Sequence, residues 1–126
     1  MASCDSAPDI LVVTAPIDAA ELRRLVERFF GDMVKIVIDV ERRAAAVGGE
    51  LHADAEAILL ELGSVQGDLW GANYYPGLGP AQCLEFTALI NIRPAQGNRS
   101  MEVEDPAIRT KMAEIVRCLI GRGGPL

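Results

Sequence analysis

The stretch MVKIVIDVERRAAAVGG, residues 33–49, decides the fold, because its composition and its spacing point to different elements. Val34, Ile36, Val37, Ile38 and Val40 are β-branched, stiff at χ1 and suited to the pleated surface of a sheet. The spacing argues for a helix. Met33, Val37, Val40, Ala44 and Val47 fall on one side of a helical wheel, and Lys35, Asp39, Arg42 and Ala46 on the other. Gly48 and Gly49 offer the left-handed residue that commonly closes a helix. The spacing therefore predicts a helix over Met33–Val47.

Toward the N-terminus, Asp18 and Glu21 form a capping box with Ile17 as its staple. Leu22, Leu25, Val26 and Phe29 then repeat at helical spacing up to Gly31, so a first helix precedes the second and shares one side of the sheet. Before it, ILVV at Ile10 to Val13 reads as a strand buried on both faces. Toward the C-terminus the period becomes two. AEAILLEL and LWGANYY are expected as strands around the turn GSVQGD, with Gly71 at a bulge or a close backbone contact. After the loop PGLGPAQ, CLEFTALINIR alternates Leu84, Phe86, Ala88, Ile90 and Ile92 against Glu85, Thr87, Asn91 and Arg93, a strand apolar on one face. RSMEV adds a short edge strand. Asp105 and Pro106 open a last helix with Ile108, Met112, Ile115, Val116 and Leu119 inward and Arg117 in its last turn. The sum is an α+β domain: an antiparallel sheet meander packed with three helices, in the order β-α-α-β-β-β-α.

At 126 residues the chain is long enough for one domain with a real core. Residues 1–8 and 121–126 are assigned to flexible tails around a globular unit over 9–120. A net charge of −6 and a pI near 4.7, without a basic stripe, argue against nucleic acid as a partner. No apolar run approaches the ~20 residues that span a bilayer, and no basic, hydrophobic leader opens the chain, so a cytoplasmic location and no membrane are expected. Cys4, Cys83 and Cys118 are odd in number and widely spaced, which suits reduced thiols rather than a disulfide framework or zinc knuckle. Cys83 paired with His52 as nucleophile and base is weighed against a buried thiol, which is the default.

The segment GGELHADAE, residues 48–56, carries the candidate site. On a strand, period two would set Glu50, His52, Asp54 and Glu56 in one row about 7 Å apart from one to the next. Such a row of like charge needs something positive to neutralise it. One candidate is Mg²⁺ or Mn²⁺ in a shell of imidazole and carboxylates, zinc being less suited to a chain with one histidine. The other is Arg93 and Arg99, with the backbone around Gly97 and Asn98, holding a carboxylate or phosphate. His52, Asp54 and Glu56 are then the catalytic candidates, with His52 or Glu56 moving the proton and Asp54 raising the pKa of His52. Glu50, Trp70, Asn73, Arg93, Asn98 and Arg99 are the ligand-binding ones. The expected function is a site for a small anionic or metal-bound ligand with hydrolytic chemistry as an option. A wet sheet face whose acids pair with arginines explains the same residues without a ligand, and a non-catalytic homodimeric interaction module is the corresponding alternative.

Taken together, FFGDMVKIVIDVE, GGELHADAE, GS followed by DLWGANYYP, and LINIRPAQGNRSMEVED resemble a family of short bacterial and archaeal proteins of unknown function. That family carries the blocks GDMVK, GGELHADAE, DLWG and INIRPxQGNRS in this order, and the likeness covers roughly residues 10 to 120. The resemblance implies no established activity, cofactor or catalytic residue.

Overall fold

The structure, a computed structural model, describes residues 8–126. The remainder of the N-terminal tail, with Cys4, lies outside the described residues. Strand β1 (Ile10–Val13) leads into helix α1 (Ala19–Phe29), then β2 (Val34–Asp39), β3 (Ala44–Gly48), helix α2 (His52–Glu61), β4 (Leu69–Tyr74), the short β5 (Leu84–Glu85) and helix α3 (Pro106–Leu119). The five strands form one antiparallel sheet in the order β1-β3-β2-β4-β5. The α+β class, the antiparallel sheet and the three helices stand as expected.

The segment that decides the fold is a β-hairpin, so the helix expected over Met33–Val47 is corrected. Val34, Ile36, Val37 and Ile38 are all fully buried, which only a central strand covered on both faces achieves. Val34, Ile36 and Ile38 join Ala45, Val47, Trp70, Ala72 and Tyr74 against α1 and α3. Val37 joins Ala46 and Leu69 on the opposite face, under Ala55 and Leu59 of α2. Burial on two faces makes most positions apolar, and a nearly continuous apolar run contains a helical stripe by accident. Gly48 and Gly49, at φ 114° and 86°, close β3 rather than a helix.

The segment expected to be the first strand after the glycines is α2, so the second helix follows the hairpin instead of replacing it. Strand β1 sits at the sheet edge with Val12 38% exposed, so it is not buried on both faces. The long strand expected over CLEFTALINIR is limited to Leu84–Glu85. Beyond it the chain makes two isolated bridges, Thr87 to Glu102 and Arg93 to Asn98, and single 3-10 turns at Leu89–Asn91 and Pro94–Gln96. RSMEV contributes only Glu102 to the first of these bridges. Asp18 precedes α1 without a side-chain cap, whereas Asp105 accepts from the Ala107 N–H at 2.8 Å as anticipated. Residues 121–126 lie on the β4–β5 loop: Gly123 donates to Tyr74 Oη at 2.8 Å and accepts from the Gly77 and Gly79 N–H groups.

Candidate functional site

Helix geometry disperses the row of acids. At 100° per residue, Ala55 and Leu59 turn inward onto Val37, Ala46 and Leu69, while His52 and Glu56, one turn apart, share a half-buried flank. Asp54 is exposed. Glu50 precedes the helix and is exposed too, and with Asp54 and Asp9 it borders a separate hollow beside Ile10 and Phe29. Among the described residues no three His, Cys, Asp or Glu side chains are gathered to hold a metal ion, so the shell expected for Mg²⁺ or Mn²⁺ is not assembled.

The two arginines part company. Arg93 Nη2 lies 3.2 Å from Glu56 Oε2, and its guanidinium stacks on the Trp70 ring at 4.9 Å. Both partners are nearly desolvated, with side chains 10% and 12% exposed. Burial lowers the Arg93 pKa, and Glu56 opposes that shift by Coulomb attraction and a hydrogen bond. Arg99 is exposed and gives its backbone N–H to Glu104 Oε2 at 3.1 Å. Asn98 is buried with its polar atoms engaged inside the loop: Nδ2 faces the carbonyls of Asn91, Ser100 and Glu102, and Oδ1 accepts from the Glu104 N–H. The neighbouring Asn91 patches the sheet edge, taking the Gly71 N–H on Oδ1 at 2.8 Å and giving Nδ2 to the Gly71 carbonyl at 3.0 Å.

A different set of groups converges beside the first turn of α2. A cavity of about 320 Å³ is bounded by Lys35, Leu51, His52, Ala53, Asn73, Ala88, Leu89 and Ile90. Lys35 and Asn73 are cross-strand partners in the β2–β4 register, which puts both side chains on the α2 side of the sheet. His52 Nε2 lies 2.8 Å from the Ala72 carbonyl, so that nitrogen carries the proton and Nδ1 remains an acceptor. Burial is the main cause that lowers the His52 pKa. The Ala72 contact opposes it, and the Lys35 charge adds to the lowering. The imidazole is therefore neutral at pH 7. This reverses the expected sign, which rested on Asp54 standing beside it.

Asn73 is the unusual member of the set. Its Nδ2 donates to Glu85 Oε1 at 2.8 Å and points to the Thr87 carbonyl at 3.4 Å, which fixes the orientation of the amide. Its Oδ1 is then buried without a hydrogen-bond partner. The carboxamide slightly favours the protonated form of the nearby His52 ring, but no contact between them meets hydrogen-bond geometry. The start of α2 is also open, because Leu51 at the N-cap provides no side-chain acceptor for the first N–H groups. Gly71 makes the arrangement possible. A Cβ there would stand 2.5 Å from Ala88 Cβ and 3.2 Å from both His52 Cδ2 and Ile90 Cδ1, so the predicted close backbone contact is present.

Sequence reasoning had singled out His52 and Asn73 and missed Lys35, which the helix reading placed on a solvent face. The available signal was a single cation inside the otherwise apolar run VKIVI. Cys83 is buried in the core against α3, and burial raises its thiol pKa, in keeping with the default of an inert thiol. Cys118 is exposed.

A family model described as a protein of unknown function, DUF5674, matches residues 11–119. The chain belongs to that family. No curated protein and no solved structure matches it. In this DUF5674 domain the quoted blocks have distinct structural parts: GDMVK enters the central strand, GGELHADAE carries the start of α2, DLWG supplies Gly71, and INIRPAQGNRS forms the loop that Asn91 and Asn98 hold together. No helix among the described residues is long and apolar enough to cross a membrane.

Proposed function

We propose that the domain binds a small anionic ligand in the hollow bounded by Lys35, His52 and Asn73. The observation that carries this reading is a cavity lined by Lys35, by the uncapped start of α2 and by Asn73, the Lys35 ammonium itself lying 5.2 Å from the Phe30 ring. An uncapped helix N-terminus presents N–H groups and the positive end of the helix dipole, which favour carboxylate or phosphate. Lys35 adds a full charge. This keeps the anionic ligand expected from sequence but moves its clamp from Arg93 and Arg99 to Lys35, since Arg93 Nη2 is paired with Glu56 and its Nε and Nη1 are buried away from the hollow without a hydrogen-bond partner. The reading is binding rather than hydrolysis, because neither Asp54 nor Glu56 stands behind His52 as an orienting carboxylate.

Titration of ¹⁵N-labelled protein with inorganic phosphate and with acetate tests the reading. The expected result is saturable shifts at the amides of His52 and Ala53, weakened about tenfold or more in Lys35→Gln through loss of a charge-assisted contact. Shifts confined to other surfaces, or none into the tens of millimolar, would refute it. The homodimeric module would draw on Leu60, Leu62 and Val65, exposed in and after the last turn of α2. A light-scattering mass equal to a single chain at high concentration would retire that alternative.

A further inference from the structure

Val12, Ala46, Val37 and Gly71 lie side by side across the sheet, on β1, β3, β2 and β4 in turn. In an antiparallel ladder the N–H and C=O of one residue point to the same side, and that side alternates along the strand. The orientation of one residue therefore fixes the row. Gly71 turns both groups away from β2, where the Asn91 carboxamide meets them at 2.8 and 3.0 Å. Val37 then faces β3 and bonds Ala46, which leaves Val12 turned away from β3. Ile10, two residues back, is turned outward as well. No other backbone group among the described residues pairs with them. One end of the row is closed by a side chain, and the other is open.

The open end has a symmetry of its own. Pro8 and Pro16 stand four residues to either side of Val12, and neither has an N–H to offer, so they confine outward pairing to residues 10–14. We propose that β1 pairs antiparallel with β1 of a second copy about a twofold axis at Val12, joining the two sheets into one. The Val12 residues of the two copies exchange both hydrogen bonds, Ile10 does so with the partner's Thr14, and the prolines fall opposite each other beyond the last bond. An axis one residue away places a proline inside the ladder: Thr14 against the partner's Pro8 for an axis at Leu11, Ile10 against the partner's Pro16 for one at Val13. Val12 is exposed because α2 packs chiefly over β2 and β3, and the partner's Val12 supplies the missing apolar cover. Charge agrees with the register. Asp9 comes opposite the partner's Ala15, and Ala15 borders a hollow together with Thr14 and Arg43, so an acid of one copy approaches an arginine of the other. The contact of Asp9 with Arg28, 3.9 Å long between exposed side chains, is too loose to prevent this. A strand pair this short makes a weak, exchanging dimer. The inference stands apart from the anion site, whose residues lie on α2, β2 and β4.

Sedimentation of the 126-residue chain over a concentration series is expected to show the mass rising from one chain toward two. In amide exchange, Leu11 and Val13, which face β3, should be protected at every concentration, and Ile10 and Val12 only as the dimer forms. Val12→Pro removes the outward donor without touching the β3 ladder and should raise the dimer dissociation constant about tenfold or more. Val12→Lys keeps that donor and should weaken the dimer as strongly by setting like charges against each other, so it decides the matter if the proline variant fails to fold. Urea unfolding in the dilute, monomeric range checks both folds. Asp9→Arg and Arg43→Asp should each weaken the dimer, and the two together should restore it. A single-chain mass at every concentration would overturn the inference. A dimer indifferent to both Val12 substitutions uses another face, and one that the paired charge swap does not restore uses another register; either result counts against it. A chain that dimerises only after residues 1–7 are removed would assign the edge to its own N-terminal segment and overturn it too.

Discussion

Gly71 is the residue on which the cavity depends, and its absent side chain gives a test with a clear sign. Glycine is poor in a strand interior, so alanine would be expected to help on propensity alone. Here the added methyl would meet Ala88 Cβ, which has no rotamer by which to escape. Gly71→Ala is expected to destabilise the fold by about 1–3 kcal/mol through overpacking, measured by urea unfolding. His52 offers a second test. Its pKa is lowered in the fold, so between the folded value and the unfolded value of 6.5 the unfolded chain binds the proton and the native one does not. Stability is complete above pH 6.5 and falls as the pH drops below it. His52→Gln should flatten that part of the pH profile. Because the chain has one histidine, its imidazole resonances report the folded pKa without overlap.

At the scale of elements, what could be read from the sequence followed from how many faces each element buries. Helices α1 and α3 each bury a single stripe, and strand β4 lies between turn signals, so all three were legible. Helix α2 buries only Ala55 and Leu59, which leaves alternating alanines and acids to imitate a strand. Its run HADAEAILLE takes seven of its ten residues from the strong helix formers Ala, Leu and Glu, a signal that outweighs period two over so short a window. The β2–β3 hairpin was hidden because its turn lacks Gly, Asn and Pro. Arg43 takes the left-handed conformation at φ 54°, and Asp39 builds the bend by accepting the Glu41 and Arg42 N–H groups on Oδ1 and Ser64 Oγ on Oδ2 at 2.6 Å. Arg43→Gly should therefore stabilise the protein by roughly 0.5–1 kcal/mol, the relief of left-handed strain exceeding the added chain entropy. Asp39→Ala should cost about 2–4 kcal/mol, since three donors lose a buried acceptor. Thermal and urea denaturation of both variants would check the opposite signs.

For the molecule as a whole, the candidate site became visible only with the sheet register. His52 and Asn73 are legible as polar residues in apolar surroundings, but nothing local says that Lys35 stands opposite Asn73, a pairing made across 38 residues of chain. The same long reach ties the C-terminus to the β4–β5 loop through Gly123 and Tyr74. Removing residues 121–126 is expected to lower stability by about 1–3 kcal/mol and to speed amide exchange in that loop, because the Tyr74 hydroxyl and the Gly77 and Gly79 N–H groups lose their partners.

The Asn91 carboxamide at Gly71 has a consequence for how these molecules behave in a crowd. A strand at the margin of a sheet is a template on which a stranger's backbone can grow, and proteins usually blunt it with charge, proline or a covering strand. Here β5 covers only the far end of β4, and a single planar amide occupies the donor and the acceptor of Gly71 at once, imitating one residue of a neighbour that cannot be extended. Asn91→Ala would reopen that position beside the apolar Trp70 and Ala72. The soluble fraction of that variant on prolonged warming, rather than its midpoint of unfolding, is where the loss is expected to show.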